Sequence, residues 1–323
     1  MTRRTRLVVS IVVPCFNEID NVMNCYRRVV DVFERELPDY DFQLIYCDDG
    51  STDGTRELLR GLAGQDVRVI VVMNARNYGV YRNSFNAMRY ATGDALIPMM
   101  PVDLQDPPEV IVEFVQKWEE GYEVVAGTRR DRVEGRVMTA VRSLYYRVVT
   151  AVGDYPIPPF AGEFQLLDRT IYVDLVSIDD YYPYTRGLIA GLSSNRVEVP
   201  YTWQAREHGK SKQNLWKLYD QGLNGIVSST HAPLRLAALV GMACALVGVL
   251  FAIVQVALFL TISRFAVPPG ISSILVLVSV IGGAILFVLG VLAEYVAAIH
   301  SQVRRRSRVR VSEVLGSCEG HTP

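Results

Sequence analysis

Apolar and polar positions alternate in a regular way from residue 7 to residue 126. Nearly continuous apolar runs predict strands at Leu7–Val13, Phe42–Cys47, Val67–Met73, Ala95–Met100 and Glu123–Ala126. Helical spacing of apolar residues predicts helices at Val22–Leu37, Thr55–Ala63 and Gly79–Tyr90, and from Pro107 to Trp118. This alternation predicts an α/β fold, in which helices cover both faces of a mostly parallel sheet.

Polar turns follow three of these strands at their carboxyl ends. Pro14–Glu18 reads PCFNE, Asp48–Thr55 reads DDGSTDGT, and Pro101–Asp106 reads PVDLQD. Because parallel strands end at one edge of an open sheet, we expect the turns to converge there on a ligand site. Adjacent carboxylates such as Asp48 and Asp49 are costly unless donors or a cation surround them. An ordinary polar turn is the alternative interpretation, since the same residue types favour turns.

Two long apolar segments lie near the C-terminal end. Leu236–Ser263 has 28 residues without a charge, and Ile271–Ala293 has 23. Each exceeds the roughly 20 residues that a helix needs to cross a bilayer. A short connector with two prolines predicts a transmembrane hairpin. Lysines and arginines flank the outer ends, whereas the connector contains only Arg264, so both termini are predicted to be cytoplasmic.

These patterns divide the chain into four parts. Residues 1–210 are predicted to form the cytoplasmic α/β domain, 211–234 an amphipathic juxtamembrane helix, 235–303 the two transmembrane helices, and 304–323 a basic cytoplasmic tail. We expect the last dozen residues to be disordered. The predicted juxtamembrane helix carries one apolar face, which is expected to lie on the membrane surface or to pack against the domain. The residues of this face are Leu215, Leu218, Tyr219, Leu223 and Ile226.

Composition excludes several functional classes. The net charge of −1 at pH 7 provides no global basic field, so no nucleic-acid partner is predicted. The five cysteines are scattered and form no CxxC, which fits a reducing compartment without a disulfide framework or a zinc site. Neither GxGxxG nor GxxxxGK[ST] occurs, so a dinucleotide fold and a P-loop are not indicated.

Several motifs resemble those of a known enzyme family. The strings at Val12–Glu18, Asp48–Thr55, Asn77–Gly79 and Val102–Glu109 resemble the inverting family 2 glycosyltransferases of GT-A fold. Narrower signals resemble the polyprenyl-phosphate sugar transferases, which include dolichol-phosphate mannose synthases and bacterial undecaprenyl-phosphate glycosyltransferases. These signals lie at Phe160–Arg169, Arg186-Gly187, Gly209–Lys212 and Gly290…Glu294-Tyr295. The likeness runs in order from about Val8 to Val303.

The resemblance implies an integral protein of the cell (inner) membrane that serves cell envelope glycosylation. Such an enzyme transfers a sugar of the hexose type from a nucleotide-diphosphate sugar to a polyprenyl phosphate, giving a lipid-phosphate monosaccharide. The expected cofactor is a divalent cation, Mg²⁺ or Mn²⁺. Membrane lipids are further expected partners, and a homo-oligomer is left open.

The resemblance also implies a role for each matching residue. The implied nucleotide-sugar-binding residues are Pro14, Asn17, Glu18, Asp48, Asp49, Ser51 and Arg206. The implied metal ligands are Asp103 and Gln105. The implied catalytic residues are Asp103, Glu163, Arg129, Lys210 and Lys212, with Arg130 and Ser211 beside them. For Arg129, Arg130 and Arg132, a solvated surface run is the alternative.

Two positions depart from the family pattern. Pro101 stands where the family usually has an aspartate two residues before Asp103, so the metal site lacks one carboxylate. A hard divalent cation tolerates this loss if diphosphate and water complete its shell. Glu163 stands where an aspartate is usual, and its extra methylene moves the carboxylate by about 1 Å. A phosphate acceptor with a second pKa of about 6 is largely ionised at neutral pH, so Glu163 is expected to orient groups more than to remove a proton.

Two other functions fit parts of the sequence. A processive polysaccharide synthase uses the same catalytic fold, but only two apolar spans and no QxxRW motif argue against it. A non-catalytic homologue that binds nucleotide or a partner protein is the second alternative, because Pro101 removes a carboxylate from the metal site.

The basic loop before the first apolar span generates a test. If Lys210 and Lys212 hold phosphate, the double change Lys210→Ala with Lys212→Ala should lower transfer at least tenfold, about 1.4 kcal/mol of transition-state stabilisation. The melting temperature should hardly change, because an unpaired surface lysine contributes almost nothing to stability. If the lysines meet only anionic lipid headgroups, the variant will lose activity in anionic liposomes but keep it in neutral detergent with a short-chain acceptor.

Overall fold

The computed structural model describes residues 6–129, 161–180, 183–204, 232–261, 270–303 and 309–316. The chain divides into two compact units. The first contains Met1–Ala151, Tyr155–Asp220 and Arg306–Pro323, and the second contains Val152–Asp154 and Gln221–Arg305.

The first unit is an α/β domain. Its strands are β1 (Leu7–Cys15), β2 (Tyr40–Asp48), β3 (Val69–Asn74), β4 (Ala95–Ile97), β5 (Val124–Arg129), β6 (Ala161–Asp168), β7 (Arg196–Tyr201) and β8 (Val311–Leu315). Its helices are α1 (Ile19–Arg35), α2 (Thr55–Gln65), α3 (Val80–Ala87) with a 3₁₀ turn at Met88–Tyr90, α4 (Val110–Glu119), α5 (Arg169–Ser177) and α6 (Thr185–Leu192). All five predicted strands and all four predicted helices are present, so the predicted fold class is confirmed.

The eight strands form one sheet in the order β7-β5-β6-β4-β1-β2-β3-β8. The pairs β1–β2, β1–β4, β2–β3 and β5–β7 are parallel. Two strands run antiparallel to their neighbours: β6 lies between β4 and β5, and β8 pairs with β3 at the edge. The sheet is therefore mostly parallel, with one antiparallel strand inside it and one at its edge.

Helices cover both faces of the sheet, which explains the continuous apolar strands. Ile11 of β1 packs in a core cluster with residues of α1, α2 and α4 such as Phe114. Its neighbour Val12 points to the opposite face, where it packs in a second cluster with Phe85 of α3 and Tyr172 of α5. Both β1 residues are completely buried.

The expectation that the last dozen residues are disordered is wrong for β8. Val311–Leu315 pairs with β3 in the first unit, with Val72 opposite Val314 and Met73 opposite Glu313. The segment is five residues long and only partly buried, so its apolar pattern is too short to indicate a strand in the sequence. Its partner strand supplies the backbone hydrogen bonds that make it one.

The second unit contains two long apolar helices, α7 (Ala232–Thr261) and α8 (Ile271–Val303). They pack antiparallel: a Cβ added to Gly241 would lie 3.9 Å from Val288, and one added to Gly248 would lie 3.8 Å from Ile281. Val280–Ala297, with a mean hydropathy of 2.2, is the one segment of the described helices that is long and apolar enough to cross a membrane. The predicted two-span hairpin and the domain boundaries stay predictions, and most of the predicted juxtamembrane helix lies outside the described residues.

Close packing at Gly127 of β5 leads to a stability prediction. A Cβ there would lie 2.7 Å from the Phe164 carbonyl oxygen and 2.8 Å from the Tyr201 ring. Gly127→Ala should therefore lower the free energy of unfolding by about 1–3 kcal/mol. Gly61 is the matched control inside α2, because apart from the helix's own backbone no atom lies within 4 Å of an added Cβ. Gly61→Ala should raise stability by about 0.5–1 kcal/mol. Chemical denaturation followed by circular dichroism measures both, and equal stabilities would contradict the packing argument.

Candidate functional site

The carboxylate of Asp48, at the end of β2, organises the turn that follows it. It accepts hydrogen bonds from the backbone N–H groups of Gly50 (3.1 Å) and Ser51 (3.2 Å). The Nε of Arg56, from the first turns of α2, donates to it at 2.7 Å. Arg56 also donates to the carbonyl oxygen of Asn74. This fully buried carboxylate therefore joins its own turn, α2 and the end of β3.

The neighbouring carboxylate, Asp49, is held by a different loop. Its oxygens accept from the Nδ2 of Asn74 (3.0 Å) and from the backbone N–H groups of Tyr78 (2.9 Å) and Gly79 (2.8 Å). Gly79 has φ 91°, in the region that favours glycine. In the sequence the NYG motif (Asn77–Gly79) is far from the DDG motif (Asp48–Gly50). In the fold, hydrogen bonds join the two motifs. Separate donors for each carboxylate offset the repulsion between the two adjacent anions.

The turn after β1 is bonded to the same region. Asn17 has φ 55° and donates its N–H to Ser51 Oγ at 2.8 Å, while its Oδ1 accepts from the N–H of Thr52 at 2.8 Å. The N–H of Glu18 donates to Thr55 Oγ1 at 3.1 Å. Pro14 lies opposite Cys47 in the β1–β2 register. The predicted convergence of the first two turns is therefore present.

The third turn, after β4, carries the predicted metal ligands. Met100 donates its N–H to the Val12 carbonyl oxygen at 2.8 Å, which places this turn beside the end of β1. Asp103 is buried, and one of its oxygens accepts the N–H of Gln105 at 3.3 Å. Within the described ranges no group of three or more His, Cys, Asp or Glu residues could hold a metal ion. This single carboxylate fits a divalent cation that takes its other ligands from a diphosphate and water.

Arg129, at the end of β5, is fixed by a buried carboxylate. Its Nε lies 3.0 Å and its Nη2 2.7 Å from the two oxygens of Asp106, and Tyr201 donates its hydroxyl to the same carboxylate at 2.5 Å. Burial alone would lower the pKa of Arg129, but Asp106 raises it above its usual range. The guanidinium carbon of Arg129 also lies over the Trp203 ring, 5.5 Å from the ring centroid. For Arg129 a solvated surface run is therefore wrong, because the side chain is mostly buried.

Glu163 of β6 pairs with Arg186 at the start of α6. The Arg186 Nε lies 2.8 Å from Glu163 Oε1, and the carboxylate side chain is 12% exposed. Burial raises the pKa of Glu163 above the usual glutamate range, while Arg186 and Arg129 oppose that shift. Because β6 runs antiparallel to β5, the start of β6 and the end of β5 lie at the same edge of the sheet.

Sequence reasoning missed three residues that shape the site. Arg56, Asn74 and Asp106 each bond a predicted site residue or its loop, yet none was assigned a role. Asp106 lies inside the Val102–Glu109 motif. The sequence therefore marks its position but does not show that its partner is Arg129. The basic residues Arg206, Lys210 and Lys212, with Ser211 and Arg130, lie outside the described residues, and their roles stay predictions.

Comparisons with known proteins agree with this architecture. The profile described as Glycosyl transferase family 2 matches residues 10–176, more than half of the chain. The uncharacterized glycosyltransferase YkcC of Bacillus subtilis (strain 168) is 32% identical, covering 95% of this chain and 94% of that protein. The prophage bactoprenol glucosyl transferase homolog of Escherichia coli (strain K12) is 30% identical, covering 95% and 99%.

Among solved structures, the mannosyltransferase PcManGT from Pyrobaculum calidifontis is 17% identical, covering 94% of this chain and 89% of that chain, with a TM-score of 0.47. This likeness is too distant to bear on function. The matches to the family profile and to full-length relatives do bear on it. The protein therefore belongs to glycosyl transferase family 2 and is a glycosyltransferase.

Proposed function

We propose that this protein is a membrane-bound inverting glycosyltransferase that moves a sugar from a nucleotide-diphosphate sugar to a polyprenyl phosphate, giving a lipid-phosphate monosaccharide. The observation that carries the proposal is the match to a relative named for bactoprenol, a polyprenol. That match covers 95% of the chain, which includes both the α/β domain and the apolar C-terminal helices. With a lipid acceptor, the α/β domain would catalyse the transfer and the apolar helices would keep the enzyme at the membrane that contains the acceptor.

The donor nucleotide is proposed to bind at the carboxyl edge, against the turns after β1 and β2. Within the described contacts, one oxygen of Asp49 accepts only the Gly79 N–H. A carboxylate oxygen can accept two hydrogen bonds, so this oxygen retains capacity for a ribose hydroxyl or a base N–H. Glu18 lies on the neighbouring turn and is proposed to contact the ribose or base. Asn17 and Ser51 keep the two turns together.

Asp103, with Gln105 beside it, is proposed to hold Mg²⁺ or Mn²⁺ on the donor diphosphate. The cation would neutralise the negative charge that develops on the leaving nucleoside diphosphate. The buried position of Asp103 supports this role, since a buried carboxylate gains most from a cation partner.

Two guanidinium groups of fixed position support the proposal that an anionic acceptor binds near the donor. Arg129 and Arg186 are each held by a buried carboxylate, Asp106 and Glu163 respectively. Cations that are already oriented stabilise developing negative charge without reorganisation during the reaction. We propose that they help to hold phosphate and that Glu163 orients Arg186. Lys210, Lys212 and Arg206 would complete this basic set on the loop before the membrane.

The apolar helices are proposed to anchor the enzyme in the cell membrane as a two-helix hairpin, with the catalytic domain and both termini in the cytoplasm. A water-soluble sugar nucleotide and a lipid phosphate can then meet at the interface. Val280–Ala297 supports the anchor by its length and composition.

Radiolabelled sugar nucleotides incubated with polyprenyl phosphate test the proposed reaction. Extraction of a labelled lipid-linked monosaccharide supports the proposal. A polymer would indicate a processive polysaccharide synthase, and no product would indicate a non-catalytic homologue. Thermal-shift screening of nucleotide sugars first selects the donor.

The same assay tests the metal role of Asp103. Asp103→Ala should abolish transfer, because the diphosphate would lose its cation, while the protein remains folded in the membrane. Asp31→Ala, on the exposed face of α1, is the matched control and should transfer normally. Normal transfer by Asp103→Ala, or full activity in excess chelator, would contradict the metal assignment.

Glu163 leads to a pH-dependent prediction. Since burial raises its pKa, activity that needs the carboxylate should fall as pH drops through that raised value. Arg186→Met removes the opposing cation, so the acid limb of the rate profile should move to higher pH. Arg186→Lys keeps the charge and should move the limb less. Initial rates at saturating substrate measure the shift. The limb should vanish from the residual activity of Glu163→Gln, and a limb that stays in place in Arg186→Met would show that Glu163 does not set it.

A further inference from the structure

The chain returns to the catalytic sheet after its last apolar helix. β8 belongs to the first unit and pairs antiparallel with β3, although more than 230 residues separate the two strands in the sequence. The register shifts between Met73 and Asn74, and Asn74 still pairs with Val311 beyond the shift. None of the proposed donor, metal or acceptor contacts uses β8.

The start of β8 is bonded to the loop at Asn74–Gly79. The N–H of Ala75 donates to the Arg310 carbonyl oxygen at 2.8 Å, and the N–H of Arg310 donates to the Tyr78 hydroxyl at 3.2 Å. Ser312 donates its hydroxyl to the Met73 carbonyl oxygen at 2.9 Å. Three hydrogen bonds from a three-residue segment therefore hold the end of β3 and the loop after it.

This is the loop whose backbone holds Asp49. Tyr78 and Gly79 donate their N–H groups to the Asp49 carboxylate, and Asn74 donates its side-chain amide. Between these donors, residues 75–77 are exposed. A segment with few buried contacts opens easily, so the loop depends on bonds at its two sides. Asp49 lies on one side and Arg310 on the other.

Two further contacts set the position of β8. Glu313 pairs with Arg60 of α2 at 2.8 Å, one turn after the Arg56 that holds Asp48. A half-exposed ion pair adds little stability, but it orients the strand. Gly316 directly follows β8 with φ 95°, and a Cβ there would lie 2.4 Å from the Val69 carbonyl oxygen. Only glycine allows this close approach to β3.

We propose that the C-terminal strand is a positioning element of the donor site. β8 holds the Asn74–Gly79 loop so that its amides keep the Asp49 carboxylate in the orientation that binds the nucleoside. Arg310 and Ser312 are positioning residues, because they act through the loop. The inference rests on the proposed function, in which Asp49 contacts the donor.

Two truncations of the full chain separate β8 from the residues around it. A chain that ends at Arg308 lacks Arg310 and β8 but keeps α8 with Arg304, Arg305, Arg306 and Arg308. A chain that ends at Gly316 keeps β8 and is the matched control. The probes are UDP and GDP with Mg²⁺, measured by calorimetry. Hydrogen exchange at the amides of Tyr78 and Gly79 reports on the loop without any ligand.

The Arg308 truncation should weaken nucleotide binding by about tenfold or more and accelerate exchange at both amides. The Gly316 truncation should match the unmodified protein in both measurements. Equal affinity and equal exchange in the two truncations would overturn the inference. If the unmodified protein binds neither UDP nor GDP, either its donor carries another base or the donor part of the proposed function fails. The exchange rates alone then decide whether β8 holds the loop.

A point variant decides the question if the Arg308 truncation does not fold. Tyr78→Phe combined with Ser312→Ala removes two of the three bonds but keeps the backbone N–H groups that hold Asp49. The donor KM should rise while kcat and the melting temperature stay close to those of the unmodified protein. Tyr40→Phe, which removes a tyrosine bond to Glu119 on another part of the sheet, is the matched control. A merely structural role would lower the melting temperature and leave the donor KM unchanged, and that result would overturn the proposal.

Discussion

Two adjacent buried carboxylates at the end of β2 are the constraint on which the rest of the site depends. Asp48 and Asp49 are almost completely inaccessible to solvent, and buried anions are stable only when donors surround them. Asp48 recruits its own turn and Arg56, whereas Asp49 recruits the loop after β3. Because both carboxylates need hydrogen-bond donors, loops from neighbouring strands lie together at one edge of the sheet. A ligand at that edge can contact all of these loops.

The same principle fixes two cations at that edge. Asp106 holds Arg129 through two hydrogen bonds, and Glu163 holds Arg186. Removal of either carboxylate would take the paired charge away from a largely buried guanidinium, which is far more costly than the loss of a surface ion pair. The carboxylates thus convert flexible basic side chains into groups of defined position. Preorganised cations stabilise negative charge without reorganising when an anion binds.

The two antiparallel strands also contribute to the carboxyl edge of the sheet. β6 brings Glu163 to the end of β5, and β8 supports the loop that holds Asp49. Neither strand follows from the alternation of strands and helices, because each pairs with a strand that lies far away in the chain. Gly127 and Gly316 allow the backbones to approach where a side chain would collide with a carbonyl oxygen.

The sequence by itself determined the strands and helices from β1 to β5, since continuous apolar runs and helical spacing are local properties. It also determined which polar turns reach the carboxyl edge, because that follows from strand direction. Only the tertiary structure decided the partner of each polar group: Arg56 for Asp48, the NYG amides for Asp49, Asp106 for Arg129, and Arg186 for Glu163. Such partners depend on strand order and register, which bring together residues as distant as Arg60 and Glu313. The free energy of burying an anion then selects among the donors that the fold places within reach.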